Sequence, residues 1–224
     1  MPSLLLVLVL SYLLGAIPFG LVVARARGVD LRQHGSGNAG ATNAMRVLGK
    51  GPGLLVFLLD FGKGLAAVAL VSHLADTGAL VETGLLGSRP ELAAAWTATL
   101  AGTAAMLGHV FTVWGRLFFG SWKGGKGVAT GAGMLAGLAP LPVALATVVF
   151  VSVLAATRYV SLGSILAAVS LPLTLVALHA LGVENPPPVW IFAVVVPAFI
   201  VWTHRANVRR LLNGTESRIG SASR

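Results

Sequence analysis

The sequence predicts an all-α integral membrane protein with about seven transmembrane helices. Hydrophobic residues make up 56% of its 224 residues and charged residues only 10%, whereas an ordinary soluble domain carries about 25% charged residues. Mean hydropathy is +0.86. Several apolar stretches also approach the ~20 residues that a helix needs to cross a bilayer. We therefore expect a single membrane domain over residues 1–224.

Seven apolar segments are the expected spans. They cover residues 3–23, 51–75, 91–111, 128–139, 141–157, 162–181 and 189–203. The first lacks the basic residues that precede the apolar core of a signal peptide, so we interpret it as a span. Prolines at 140 and 142 break the apolar run at 128–157. We interpret that run as two short helices, one going out and one returning, with a single kinked span as the alternative.

Two spans carry polar side chains that need an explanation at membrane depth. Asp60 and Lys63 lie three residues apart in the second span, close enough to pair on one helix face. Charges at this depth usually face the bundle interior, and we favour a buried pair that fixes helix packing over the wall of a binding site. His109 ends the third span, and we expect it to be a hydrogen-bonded structural residue.

The distribution of basic residues predicts the orientation. With the N-terminus outside and seven spans, 14 of the 16 Lys and Arg residues fall on the cytoplasmic side, as the positive-inside rule expects. We therefore predict a cytoplasmic C-terminus. Orientation accounts for most of the net charge of +9, so no nucleic-acid partner is needed to explain it. Cysteine is absent, which excludes disulfides and thiolate metal sites.

The first of three polar clusters on the predicted cytoplasmic face is the glycine-rich run 35–43. Glycines let the backbone turn sharply and approach a ligand closely, and consecutive amides in such a turn can form a concave anion site. Ser36, Asn38 and Thr42 add side-chain donors, and Arg46 adds positive charge. The pattern indicates an anion-binding loop; a plain polar loop between helices is the alternative.

The second cluster is the run 123–130, which reads Lys-Gly-Gly-Lys-Gly-Val-Ala-Thr. Glycines before a helix start, together with two lysines, are typical of phosphate binding, because helix N-terminal amides and ammonium groups both meet the anion. The run does not match the Walker A pattern. A basic loop held by lipid headgroups would explain the lysines but not the three glycines beside them.

The third cluster follows the last span. His204 and Asn207 would share one face of a helix, and a short run after them ends in Glu216. A basic juxtamembrane helix that binds anionic lipid is the alternative. Ser161 and Ser164 lie at the same depth, where serines are most often helix caps. Carboxylates on this face are too few for a two-metal site, so we expect no metal.

Together these runs resemble the bacterial acyl-phosphate:glycerol-3-phosphate acyltransferase family over nearly the whole chain. The resemblance rests on residues 36–43, on the glycine run at 124–130, on His-x-x-Asn-x-x-Arg-Leu at 204–211 and on Gly-Thr-Glu at 214–216. It implies transfer of a fatty acyl group from acyl phosphate to the 1-hydroxyl of sn-glycerol 3-phosphate, which gives lysophosphatidate. It also implies a multi-pass protein of the bacterial inner membrane, with its active site on the cytoplasmic face and no cofactor or metal.

The resemblance assigns roles to individual positions. It implies four catalytic residues, Ser36, Arg46, His204 and Asn207, and one structural acid, Glu216. We expect substrate to be bound by Gly37, Asn38, Gly40, Thr42, Asn43, Lys123, Gly124, Gly125, Lys126, Gly127 and Ser161. Among these, the glycines at 124, 125 and 127 match the family's glycerol-phosphate-binding loop.

One departure from the family lies just before the second cluster. The family usually reads Gly-His-x-Phe-Pro there, whereas residues 108–111 read Gly-His-Val-Phe and are followed by Thr112. The stretch 112–122 also looks several residues longer than usual. This leaves the conformation of 112–122 open but does not affect the chemistry.

Acyl phosphate is a mixed anhydride, so the reaction needs neither nucleotide nor metal. The protein must align two substrates and stabilise an oxyanion. His204 is the one obvious general base. We favour the rival mechanism, in which the leaving phosphate takes the proton and His204 orients the acceptor, because no carboxylate is spaced to complete a triad.

Two other functions fit parts of the pattern. A transporter or binding protein for phosphate esters would place its site near the bilayer midplane and often shows repeat symmetry, whereas these clusters lie at one edge and no repeat is visible. A CDP-alcohol phosphotransferase would need an aspartate-rich metal motif, which this sequence lacks.

Overall fold

The computed structural model describes residues 4–77 and 90–220, and within them the protein is helical. The described helices are α1 (Leu4–Gly15), α2 (Phe19–Arg25), α3 (Ala41–Leu48), α4 (Lys50–Asp76), α5 (Pro90–Val110), α6 (Val113–Phe119), α7 (Val128–Leu138), α8 (Pro140–Thr157), α9 (Val160–Ala180), α10 (Pro187–Thr203) and α11 (Arg205–Leu212). A 3₁₀ turn covers Leu31–Gln33, and an isolated antiparallel bridge joins Phe111 to Lys123. The all-α class predicted from the sequence is confirmed.

Residues Met1–Leu138 form one compact unit that contains α1 to α7. In this unit α1 packs on α5, and α4 packs on α5 and α7. Gly15 lies against the backbone of Ala105 and Gly64 against the backbone of Thr130, so closely that a Cβ at either glycine would collide. Small residues of this kind let helix backbones approach each other, which is a usual mode of helix packing in lipid.

Residues Ala139–Arg224 form a second compact unit that contains α8 to α11. In it α9 contacts both α8 and α10. The chain bends by 62° where α10 passes into α11. Because α7 ends before α8 begins, the run 128–157 forms two helices and not one kinked helix.

Four helical segments in the described part of the chain are long and apolar enough to cross a membrane. They are Leu4–Arg25, Lys50–Asp76, Pro140–Thr157 and Val160–Ala180. The bent pair of α10 and α11 would make a fifth, and α7 is apolar but shorter. The protein is an integral membrane protein, while the count of seven spans, the orientation and the single-domain boundaries stay predictions.

Two stretches expected to be loops contain short helices. The first predicted cytoplasmic loop, residues 24–50 between the first two expected spans, contains α3, so residues 41–43 belong to a helix and not to the glycine loop. The second contains α6. These helices have eight and seven residues, too few for apolar periodicity to be detected. The loop predicted at 76–90 falls mostly outside the described residues.

Candidate active site

The first glycine loop is closed by the side chain of Asn43. This residue lies in the first turn of α3 and is only 2% exposed. Its Oδ1 accepts a hydrogen bond from the backbone N–H of Ser36 (2.9 Å), and its Nδ2 donates to the carbonyls of Leu31 (3.1 Å) and His34 (3.0 Å). The expectation that Asn43 binds substrate does not fit this buried, fully engaged amide. Asn43 instead fixes the loop that presents Ser36.

Backbone amides of this loop are also bonded within it. Besides the amide of Ser36, the N–H of Gly37 donates to the carbonyl of His34 (3.1 Å), and that of Gly40 donates to Oδ1 of Asn38 (2.9 Å). Gly37 has φ of 67°, in the left-handed region that favours glycine. The glycines and Asn38 thus shape the turn, and the amides of Ser36, Gly37 and Gly40 already have partners.

Three predicted site residues keep exposed side chains at this loop: Ser36, Thr42 and Arg46. Thr42 and Arg46 are four residues apart on α3 and therefore lie on the same helix face. Hydroxyl and guanidinium groups both donate to phosphate oxygens, and charge-assisted bonds of this kind are the stronger ones. This face of α3 can therefore hold an anionic group.

The second glycine loop is paired with the end of α5. The N–H of Gly124 donates to the carbonyl of Val110 (2.9 Å), and the N–H of Gly125 donates to the carbonyl of His109 (3.2 Å). A Cβ on Gly124 would collide with the His109 carbonyl oxygen, and a Cβ on Gly125 would collide with the His109 imidazole. Packing therefore requires glycine at both positions. Since both amides are already bonded, the expectation that they meet the phosphate does not fit.

The same loop leads directly into α7. Lys123 is exposed, Lys126 is half-buried and Gly127 has φ of 85°. The helix then begins at Val128. The unpaired amides of a helix N-terminus favour anions, so the lysines and the start of α7 are the groups of this loop suited to phosphate.

The two glycine loops adjoin each other within the first unit. A Cβ on Gly40 would lie 4.0 Å from the Cα of Gly125. The first unit thus brings together two of the three clusters predicted from the sequence.

The stretch 112–122 folds as α6, with Thr112 as its N-cap. The Thr112 hydroxyl accepts a hydrogen bond from the N–H of Gly115 (2.9 Å) and donates to the carbonyl of Ala16. Gly120 ends the helix in the left-handed conformation, with φ of 73°. Threonine in place of the family's proline therefore supplies a cap for this helix.

Arg32 attaches the end of α6 to the first loop. Its guanidinium donates to the carbonyl of Phe119 and pairs with Asp30 at 2.8 Å. The side-chain hydrogen bond from Arg32 is the main reason why the pKa of Asp30 falls from 3.8 to about 2. A cleft of about 380 Å³ lies beside this pair, lined by Leu21, Arg25, Gly28, Val29, Asp30, Leu31, Arg32 and Phe119.

A buried ionic cluster lies next to the second glycine loop. Nζ of Lys63 is 2.8 Å from Oδ1 of Asp60, and Nδ1 of His109 is 3.3 Å from the same oxygen. All three residues are less than 10% exposed. The packing interpretation of Asp60 and Lys63 fits this geometry. Sequence reasoning missed that His109 joins the pair and touches Gly125; the only available signal was its place at the end of a span.

In the second unit, Glu216 collects three side-chain donors. It accepts from Oγ of Ser161 (2.7 Å), Nδ2 of Asn207 (2.6 Å) and Nε of Arg210 (2.6 Å). Burial alone would raise the pKa of Glu216, but the bonds from Asn207, Ser161 and Arg210 outweigh it and lower the pKa below 4.5. Neither Ser161 nor Ser164 caps α9, because its N-cap is Tyr159; the cap interpretation is wrong.

His204 lies at the bend between α10 and α11 and is 3% exposed. The sequence suggested that His204 and Asn207 share one continuous helix. They do not, because the helix breaks at His204. Nδ1 of His204 is 2.8 Å from the carbonyl oxygen of Ile200. A carbonyl can only accept, so Nδ1 carries the proton, and Nε2 is the nitrogen able to take one.

The chain matches the profile of a family described as glycerol-3-phosphate acyltransferase over residues 5–214. A curated glycerol-3-phosphate acyltransferase of Salinibacter ruber is 44% identical over 223 residues, which cover 98% of this chain and 93% of that protein. Another, from Desulforamulus reducens, is 42% identical over 216 residues, covering 96% and 94%.

Two solved structures are also similar. One is PlsY (YgiH), an integral membrane glycerol 3-phosphate acyltransferase, in its glycerol 3-phosphate form, with a TM-score of 0.80 and 40% identity. The other is the lysophosphatidic acid form of PlsY, with a TM-score of 0.77 and 39% identity. Both matches cover 98% of this chain and 96% of the solved chain.

Proposed function

We propose that this chain, which belongs to the glycerol-3-phosphate acyltransferase family, transfers a fatty acyl group from acyl phosphate to the 1-hydroxyl of sn-glycerol 3-phosphate. The observation that supports glycerol 3-phosphate as the acceptor is the pair of similar structures, one in a glycerol 3-phosphate form and one in a lysophosphatidic acid form. These two molecules differ by one acyl group on a hydroxyl. Acyl transfer to that hydroxyl converts the first into the second.

The donor we propose is an acyl phosphate. The acceptor oxygen attacks the acyl carbonyl carbon, the bond from that carbon to the phosphate oxygen breaks, and inorganic phosphate leaves. Because the donor is a mixed anhydride, the leaving group is already good, and catalysis rests on alignment and charge stabilisation. The exposed Arg46 and Lys123 are the residues of the first unit that we assign to the negative charge of the substrates.

The hydroxyl proton must leave during this step. We assign the imidazole of His204, whose Nδ1 lies against the carbonyl oxygen of Ile200, either to accept that proton or to orient the hydroxyl. We favour orientation, with the leaving phosphate as the proton acceptor, because a phosphate dianion is itself a competent base.

The test is acyl transfer to labelled glycerol 3-phosphate by the purified protein in detergent, with EDTA present. Acyl phosphate, acyl-coenzyme A and an acyl-carrier thioester are compared as donors. We expect lysophosphatidate from acyl phosphate alone, unaffected by EDTA. Product from a thioester only would reject the donor, and the absence of product from every donor would reject the acyltransferase assignment.

We place the active face on the cytoplasmic side of a bacterial inner membrane, because that orientation satisfies the positive-inside rule. The chain has no cysteine, so single cysteines can be introduced at positions 40, 122, 185 and 213 without background. We expect impermeant reagents to label 185 from outside and the other three only from the cytoplasmic side. Labelling of 40 and 122 from opposite sides would contradict the proposal.

A further inference from the structure

We infer that His109 is a positioning residue for the second glycine loop, and that Gly125 must be glycine because the His109 ring occupies the space of its side chain. Neither residue needs to touch substrate through these contacts. Only the kinetic test of this inference rests on the proposed function, because it measures KM for glycerol 3-phosphate.

The backbone of the loop is built onto the segment that follows His109. The N–H of Thr112 donates to the carbonyl of Trp122 (2.9 Å), and an antiparallel bridge joins Phe111 to Lys123. With the two glycine amides bonded to residues 109 and 110, four consecutive loop residues are paired to this segment. The place from which the Lys123 side chain starts is therefore set by the end of α5.

The ring of His109 is itself held from the opposite side. Its Nδ1 faces Oδ1 of Asp60 at 3.3 Å, and the same oxygen lies 2.8 Å from Nζ of Lys63. Lys63 also donates to the carbonyl of Ile17 (2.8 Å) and lies over the ring of Phe19. The α1–α2 junction, α4 and α5 thus jointly fix the imidazole, whose Nε2 and Cε1 atoms meet the face of Gly125.

The buried cluster of Asp60, Lys63 and His109 therefore fixes where Lys123 and the start of α7 lie. A methyl group at position 125, or a displaced imidazole, would move the loop that carries Lys123 and leads into the start of α7. The change should weaken acceptor binding more than it slows the chemical step, because the residues assigned to the reacting atoms are untouched. A rise in KM for glycerol 3-phosphate with little change in kcat is the expected signature.

The test is a double-mutant cycle with Gly125→Ala and His109→Asn. Asparagine keeps a nitrogen donor near the position of Nδ1 for Asp60 but lacks the Nε2 and Cε1 atoms that a Cβ at 125 would strike. We expect G125A alone to raise KM roughly tenfold or more, because the added methyl group overpacks the site and displaces the loop that carries Lys123. In the H109N background the same change should raise KM by less than about threefold.

Gly124→Ala is the matched control. A Cβ there would strike the backbone carbonyl oxygen of His109, which no side-chain change at 109 removes. We expect G124A to raise KM by the same factor in both backgrounds. If G125A also has the same effect in both backgrounds, the ring contact is irrelevant and the inference is wrong.

The melting temperature in detergent, Tm, separates this inference from the proposed function. We expect G125A to lower Tm in the parent chain and to lower it much less in H109N, whatever reaction the protein catalyses. If the effects of G125A and H109N on Tm are simply additive, the ring contact has no energetic weight and the inference is wrong. Coupling in both Tm and KM supports the positioning role of His109. Coupling in Tm with an unchanged KM would show that His109 is purely structural and would reject the positioning role.

Discussion

The two compact units hold their polar clusters in different ways. In Met1–Leu138 the glycine loops are held by backbone pairing and by contacts that leave no room for a Cβ, and the cations Arg46 and Lys123 remain exposed. In Ala139–Arg224 a single carboxylate, Glu216, gathers three side-chain donors and is itself only 7% exposed. A glycine-rich run therefore does not by itself indicate amides that bind phosphate. In the first unit the glycines hold the proposed binding groups in place, and in the second an acid holds the side chains of the third predicted cluster.

The largest effect should come from removing an exposed cation in the first unit. We expect Arg46→Ala to lower kcat/KM roughly 10- to 150-fold, since a hydrogen bond to a charged group contributes about 1.5–3 kcal/mol. Arg27→Ala, an exposed arginine in the same predicted cytoplasmic loop, is the control and should leave activity nearly unchanged. Steady-state kinetics check both. Equal losses in the two variants would mean that Arg46 acts only through general surface charge.

In the second unit the largest effect should be on stability. Glu216→Gln removes the charge that three donors share, so we expect about 1–3 kcal/mol of destabilisation and a lower Tm in detergent. Glu184→Gln is the control, because the Glu184 side chain is 76% exposed and its partner is His179 at 3.4 Å. Equal Tm values for E216Q and E184Q would contradict a structural role for Glu216.

His204→Gln sharpens the difference between positioning and catalysis. If the leaving phosphate takes the proton, glutamine should keep activity within roughly tenfold and should mainly raise KM for the acceptor. If His204 is the general base, the loss in kcat should be about 10²- to 10⁴-fold, and the acidic limb of the pH profile should disappear. The pH dependence of kcat for both proteins decides between these outcomes. A deep loss together with the missing limb would contradict our preference.

The smallest effects should appear in the acid stability of the two units. Asp30 and Glu216 both have lowered pKa values, so each stabilises the folded state above its ordinary pKa, and that stability is lost as the pH falls through the lowered value. The Asp30 pair is about one-third exposed, so we expect Asp30→Asn to cost less than about 1 kcal/mol. The Tm of D30N should therefore depend less on pH between 3.8 and about 2 than the Tm of the parent chain. An equal dependence in the two proteins would show that Asp30 adds no acid-sensitive stability.

Local sequence spacing predicted what depends on local geometry. The apolar segments gave helices, and residues 60 and 63, three apart, gave an ion pair. Spacing could not reveal the contact of His109 with Gly125, because it joins the end of one helix to a loop through side-chain packing. Nor could it assign Asn43, since an asparagine among glycines suits a ligand contact and a turn equally well.

The bend at His204 was also beyond the sequence pattern. His204 and Asn207 have helical spacing, and no glycine or proline lies between them, so nothing marks a break there. The role of Thr112 was hidden for a different reason. A threonine in place of a proline shows as a departure, and only the structure reveals that its hydroxyl caps α6.

The most direct test of the account is a crystal structure of this protein with glycerol 3-phosphate bound. We predict that the phosphate oxygens lie within hydrogen-bonding distance of the Arg46 or Lys123 side chain. We also predict that the amides of Gly124 and Gly125 still donate to the carbonyls of residues 110 and 109. A phosphate bound to those two amides, with their pairing to α5 broken, would contradict the claim that the glycines position the site and do not form it.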